Sequence, residues 1–333
     1  MTPLQKSESQ FRCNSNLNYF QQKVKKNLPK LVKEWRNGTE VYFVILSGNS
    51  LIISLITANY RLHSPMYFFL CNLSLCEVIL TTVIIPNMLY VVWGDGGSIS
   101  LYGCMTQFYI YASTGSAECL VLTVMGFDRY LAICNPLRYS SVMDNRTCNH
   151  LAAWCWMSGF IVMSFLTIQV CHLQFCNSHM IDHLFCDIAP ILTISSSDVR
   201  IADGSALVIA FVMTITPFVI IIVSYVAIFI TILKIPSDSG RQKTFSTCSS
   251  HLTSVCTYFG TLFVIYLVPS GRRSMKVNKS LSLLYIMVTP LLNPFIYSLR
   301  NQQMRDSFNN CIYFFTILLD KNVSLFSGKR PMG

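Results

Sequence analysis

Charge is scarce in this sequence. Only 12% of its 333 residues are Asp, Glu, Lys or Arg, where a soluble domain carries about a quarter. With 52% of residues hydrophobic and a mean hydropathy of +0.47, there is too little polar surface to cover a soluble globule, and the chain belongs in lipid. Acids are scarcer than bases, 15 against 25, for a net charge of +10. That excess does not call for nucleic acid, because Lys and Arg in a membrane protein gather in loops beside anionic headgroups; membrane lipid is the partner it implies. The 14 cysteines form no repeated Cys-x-x-Cys pairs, and Cys71, Cys76, Cys119, Cys134, Cys155, Cys248 and Cys256 lie in or beside apolar runs as packed thiols. No period or paired half-motif recurs, which argues against a secondary transporter. The first forty residues hold no apolar core of the signal-peptide kind.

Long apolar runs, by contrast, are plentiful. They cover residues 41–59, 66–93, 101–134, 151–170, 205–233, 247–268 and 280–299, each long enough to cross a bilayer as a helix. Every backbone group in lipid needs an internal partner, so the expected fold is all-α: a seven-transmembrane helix bundle. Residues 1–40 read as a basic, loosely ordered tail, 41–300 as the membrane domain and 301–333 as a second tail. Pro86, Pro217, Pro290 and Pro294 fall inside spans, where they kink helices. Arg61, Arg138, Arg146, Lys234, Arg241, Lys243, Arg300 and Arg305 share one side of the bundle, which is therefore cytoplasmic and carries the C-terminus. The basic amino-terminal tail, Arg272, Arg273 and Lys276 run against that rule. Cys104, Cys171, Cys176 and Cys186 cluster on the opposite side, as an oxidising lumen requires. With the amino terminus extracellular, Asn37 in Asn37-Gly38-Thr39 is a glycosylation acceptor.

The stretch from Met125 to Cys134, MGFDRYLAIC, places Asp128 and Arg129 where an apolar run ends. At a membrane edge the two satisfy one another, and a pair that can be held or released is one part of a switch. Glu77 and Glu118 lie deep within apolar spans, where an unpaired carboxylate costs several kcal/mol. Either they bind a cation together, or they stay protonated and hydrogen-bond to neighbours such as Asn49 and Asn293. Phe108, Tyr111, Ala112 and Gly115 repeat at helical spacing on the third span, as do Phe259, Leu262, Phe263 and Tyr266 on the sixth. In the loop after the fourth span, His179, His183, Cys186 and Asp187 have metal-ligand chemistry, but loop histidines more often serve as hydrogen-bonding residues, and no metal is assigned.

Longer motifs carry a resemblance. LHSPMYFFL at 62–70, MGFDRYLAIC at 125–134, Ser224-Tyr225, KTFSTCSSHL at 243–252 and PLLNPFIYSLRN at 290–301 occur in the order and at the helix ends found in odorant receptors, and the chain resembles that family from about Gly48 to Asn301. The resemblance implies a rhodopsin-like G-protein-coupled receptor without enzymatic activity, in the plasma membrane. Its implied partners are a small volatile odorant and a heterotrimeric stimulatory G protein of the olfactory type, through which it raises cyclic AMP. It implies a ligand site on the two stripes above, joined by Ser116, Ile209, Met213 and Ile286. That lining is apolar and aromatic without charge, which favours a small neutral molecule over an amine. It also implies a switch built from Asp128, Arg129, Tyr130, Tyr225, Lys243, Asn293, Pro294 and Tyr297. By the same resemblance Cys104 pairs with Cys186, and Asn49, Glu77, Glu118 and Asn293 surround an internal sodium ion, the only cofactor implied.

Several positions depart from the family pattern. Phe127 and Phe259 stand where a tyrosine is usual, each losing a hydroxyl. Ser195-Ser196-Ser197 replaces the third loop cysteine, so Cys176 loses its expected partner and Cys171 is the nearby substitute. With the unfamiliar basic tail, these departures keep an inactive or poorly surface-expressed receptor-like protein as the rival reading, ahead of a membrane transporter.

Overall fold

The computed structural model describes residues 19–22, 38–94, 96–176, 180–266, 275–300 and 303–309. Seven long helices dominate the described residues: α1 Gly38–Ala58, α2 Pro65–Trp93, α3 Leu101–Cys134, α4 Asn145–Cys171, α5 Arg200–Leu233, α6 Asp238–Tyr266 and α7 Met275–Arg300. α3 has the bounds expected from its apolar run. α4 and α6 begin at Asn145 and Asp238 rather than at 151 and 247, because their first turns are polar and precede the apolar stretch.

The helix starts follow local chemistry. Pro65 opens α2 at a position where its missing N–H costs nothing. Ser100 Oγ accepts from the Gly103 amide at 3.0 Å to start α3, and Asp144 Oδ1 accepts from the Thr147 amide at 2.8 Å to start α4. Within α5, residues Phe211–Ile215 widen into a π turn just before Pro217. Proline has no N–H to offer the preceding turn, and the wider turn absorbs the mismatch.

α3 is the central post, packed against α2, α4, α5 and α6, while α7 packs on α6, α1 and α2 and closes the ring. Gly159 lets α4 approach α3 closely: a Cβ there would sit 2.6 Å from the Ser113 carbonyl oxygen. On the far side of α4, Trp154, Met157, Ile161, Phe165 and Ile168 form an exposed apolar stripe at helical spacing. α1, α2, α4 and α5 are long and apolar enough to cross a membrane, and an uncovered stripe of this kind is what lipid contact leaves.

One end of the bundle carries the Cys104–Cys186 disulfide, and the other carries Asp128 and Arg129. At the disulfide end a small sheet has the order β2-β1-β3, with β1 Tyr19–Gln22, β2 Gly97–Ser100 and β3 Met180–Ile181. β1 runs antiparallel to β2, with Tyr19 opposite Ser100, and parallel to β3, with Gln21 opposite Met180. Gly96 turns the chain into β2 at φ +144°, a conformation that side chains resist. The expectation of a loose tail through residue 40 is therefore corrected at two places: residues 19–22 are a central strand, and α1 already begins at Gly38. Phe20 is fully buried among Cys104, Phe175 and Cys186, and that burial holds the strand in place. Asn37 lies outside the described residues.

Candidate functional site

At the Arg129 end, Asp128 is fully buried and receives three hydrogen bonds. Arg129 donates to Asp128 Oδ2 from Nη2 at 2.5 Å and from Nε at 3.0 Å. Tyr139 Oη, from the short helix Pro136–Val142, donates to Asp128 Oδ1 at 2.8 Å. Burial, followed by the neighbouring Asp128 carboxylate, pushes the Tyr139 phenol up, so it remains a donor. Tyr139 was not singled out from the sequence, since an aromatic in a loop carries no periodic signal. Tyr130 stacks on Phe127, with ring centroids 6.2 Å apart.

Tyr225 lies parallel to the His251 ring, and its hydroxyl is 2.7 Å from His251 Nδ1; His251 Nε2 is 3.1 Å from the Leu122 carbonyl oxygen. The imidazole thus ties α6 to both α5 and α3. His251 lies within the 243–252 motif, but nothing in the motif says which helices it joins. Tyr297 is buried, and Pro294 packs against Gly48 of α1. Lys243 lies in α6.

In the middle of the bundle, four of the expected residues are buried on four helices: Asn49 on α1, Glu77 on α2, Glu118 on α3 and Asn293 on α7. Asn293 Nδ2 donates to Glu77 Oε1, Ser254 Oγ donates to Asn293 Oδ1 at 2.8 Å, and Asn49 Nδ2 donates to the Ile45 and Pro290 carbonyls, each at 3.1 Å. Among the described residues, Glu77 Oε2 and Asn49 Oδ1 are buried without a hydrogen-bond partner. Unpartnered oxygens on neighbouring helices, beside two carboxyl groups, are the donor chemistry a hard cation takes, so these residues fit a sodium ion.

Toward the disulfide end, the two stripes fall into adjoining apolar clusters. Phe108, Tyr111 and Ile286 are buried in one, with Ala112 and Ile209 against it; Phe259 and Leu262 are buried in the other, with Met213 and Phe263 against it. Tyr285 packs on both, and its hydroxyl lies beside Gly115. Ser116 is buried one residue on, and Tyr266 is the last residue of α6. Phe218 joins the second cluster through ring contacts of 5.2 Å to Phe259 and 4.7 Å to Phe263. One residue before Phe259, Tyr258 donates to the Gly115 carbonyl at 2.8 Å and so points to α3.

The reading of this face as free of charge needs one correction. The Tyr111 hydroxyl donates to Asp187 Oδ1, an oxygen that also accepts from the Ile188 amide at 2.8 Å. Chain reversal after Cys186 brings that carboxylate back over α3, which spacing alone does not show. Cys186 is bonded to Cys104, and His183 Nδ1 lies 3.2 Å from the Phe185 carbonyl oxygen, so the loop's metal-ligating groups are engaged elsewhere; His179 lies outside the described residues. Cys171 is a free thiol, whereas Cys176 is disulfide-bonded, so Cys171 is not the substitute partner expected.

The olfactory receptor family model matches residues 39–314. The chain is 41% identical over 269 residues to human olfactory receptor 11A1, covering 81% of this chain and 85% of that protein. It is 43% identical over 272 residues to human olfactory receptor 10A7, covering 82% and 86% respectively. It is also 44% identical over 268 residues to mouse olfactory receptor 5P60, covering 80% and 83%. Among solved structures, squid rhodopsin superposes with a TM-score of 0.68 at 15% identity, covering 85% of this chain and 81% of that one, which establishes a rhodopsin-like seven-helix fold. The chain belongs to the olfactory receptor family of multi-pass, G-protein-coupled membrane receptors, and is a receptor rather than an enzyme.

Proposed function

We propose that this receptor senses a small, neutral, mostly apolar odorant between α3, α5, α6 and α7 toward the disulfide end, and answers by activating a stimulatory G protein of the olfactory type, raising cyclic AMP. The observation that carries the reading is the state of the Arg129 end. Arg129 is held by Asp128 of its own helix, and Tyr225 is held by His251 on α6. Both groups are thus occupied at the face a cytoplasmic partner would use, as expected of a resting packing. Odorant shifts the balance only if it binds the alternative packing better, one in which α6 moves outward and Tyr225 and Tyr297 approach a released Arg129. Tyr130, Lys243, Asn293 and Pro294 serve this switch.

A neutral ligand is favoured because the two stripes that line the pocket are apolar and aromatic, and the Asp187 carboxylate near them is tied through Oδ1 to Tyr111 and to the Ile188 amide. The hydroxyl of Ser116 is available to orient a carbonyl or alcohol. A sodium ion held by Glu77 and Asn49, with Glu118 and Asn293 nearby, would bridge α1, α2, α3 and α7 and favour the resting packing. The disulfide end faces the extracellular side, which agrees with disulfide chemistry there and basic loops opposite, and the receptor resides in the plasma membrane with its C-terminus cytoplasmic.

The test is a cyclic AMP assay in cells with verified surface receptor, challenged with a panel of neutral volatiles and amines. A dose-dependent rise with a neutral volatile, reduced by Phe259→Ala, is expected. Silence across the panel with ample surface receptor would favour the receptor-like but inactive alternative.

A further inference from the structure

α1 and α7 meet where Gly48 faces Pro294: a Cβ on Gly48 would lie 3.1 Å from both Cβ and Cγ of Pro294. Beside that contact, between α1, α7 and residues 303–309, lies a cavity of about 310 Å³, at the lower end of the volumes that hold a small molecule. Its walls are apolar, with Val44 and Leu51 from α1, Phe295 beside Pro294 on α7, and Phe308. Val44, Leu51 and Phe295 are exposed, so the cavity opens as a groove on the outer surface of the bundle, where a membrane-spanning chain meets lipid. Ser47 on the α1 wall returns its hydroxyl to the Val44 carbonyl of its own helix at 3.2 Å.

The third wall is firmly seated. Tyr67 Oη donates to Gln303 Oε1 at 2.9 Å, Asn59 Nδ2 donates to Ser307 Oγ at 2.8 Å, and Met304 is buried in the same cluster as Tyr67 and Leu131, at the Arg129 end of the bundle. That seating places Arg305 at the groove. Arg305 is exposed, and among the described residues it forms no ion pair, whereas Arg129, Arg200 and Arg241 each have one. Its neighbour Asp306 does not line the groove.

An apolar groove that ends on an unmatched cation at a membrane edge calls for a ligand of two parts, a hydrocarbon chain and an anionic oxygen. A sterol would cover the walls and leave the guanidinium without an anion, and a zwitterionic lipid brings its own cation to its phosphate. We propose that the groove binds an anionic phospholipid of the cytoplasmic leaflet, with one acyl chain between α1 and α7 against Pro294 and Phe295 and the headgroup held by Arg305. The choice of leaflet rests on the orientation proposed above; the site itself does not. Because Pro294 belongs to the switch, the seated chain touches a signalling residue, and its binding stabilises the α1–α7 packing by mass action.

The experiment is native mass spectrometry of purified full-length receptor in detergent, supplied with equimolar phosphatidylserine and phosphatidylcholine, and with cholesterol as a separate addition. The parent should retain phosphatidylserine with a roughly fivefold preference, the size expected for one cation beside anionic lipid. Arg305→Ala should bring that preference toward parity, and Arg305→Lys should keep most of it. Leu51→Trp, whose larger ring fills the groove from a wall that faces lipid, should reduce retention of phosphatidylserine without touching the cation. No phospholipid retained by the parent, a preference unchanged in Arg305→Ala, retention unchanged in Leu51→Trp, or displacement of phosphatidylserine by cholesterol would each overturn the site. Neither odorant nor cyclic AMP enters these readouts, so any of those results would leave the proposed receptor function standing.

Discussion

Asp128→Asn tests the strength of the hold on Arg129. In the resting packing the Asp128 carboxylate accepts two bonds from Arg129, at 2.5 and 3.0 Å, and one from Tyr139 at 2.8 Å, with no exposure to solvent. Asparagine keeps the shape but removes the charge, and one of its two terminal atoms becomes a donor facing other donors. A coupling of this kind is worth about 1–3 kcal/mol, which shifts the balance between packings about 5- to 150-fold. If the signalling state is populated at about 0.1–10% in the parent, basal cyclic AMP should rise until that population saturates. Tyr139→Phe removes a single hydrogen bond and should produce the same change at a smaller size, for about 1 kcal/mol and roughly 5-fold. Because the site is buried, both variants must be compared at matched surface levels, using impermeant-antibody counts on the same cells. Basal signal per surface receptor unchanged in both variants would refute the idea that Asp128 restrains Arg129.

Three further outcomes are expected. Glu77→Gln should abolish any dependence of basal cyclic AMP on extracellular sodium, because the unpartnered Glu77 Oε2 is the acceptor best able to hold the ion; dependence that survives the substitution would show that these residues do not bind it. Gly159→Val should lower thermal stability in detergent by roughly 1–3 kcal/mol, since its Cβ would press on the Ser113 carbonyl; an unchanged melting temperature would show that α4 can move away freely. The Asp198 carboxyl is lowered to about 2 by its hydrogen bonds from Arg200. Any stabilisation from that pair is therefore complete above about pH 4 and lost only as the pH falls through about 2, so whatever change Asp198→Asn makes to the melting temperature should be the same at about pH 5 and about pH 8; a change that differs between the two would contradict this assignment.

The helices were legible because apolar runs long enough to span a bilayer admit few other structures, and α3 follows its run from Leu101 to Cys134. The Asp128–Arg129 pair was legible because an acid and a base at the end of such a run need one another. β1 was not: four residues gain strand character only from pairing with two segments far away in sequence, and Phe20 buries itself only once that end of the bundle exists. The contacts of Tyr139, His251 and Asp187 were not legible for a related reason. Each acts through a contact between helices or loops that spacing along one element cannot reveal, whereas Glu77 and Glu118 announced themselves by being charged where charge is costly.

The most direct test of the account is Arg129→Ala. The guanidinium contacts Asp128 at the end of the bundle opposite the Cys104–Cys186 disulfide, away from Phe108, Phe259 and the other residues assigned to odorant. At matched surface levels, and with an odorant that activates the parent, the account predicts that binding persists while the cyclic AMP response is lost. A normal response from Arg129→Ala under those conditions would contradict it.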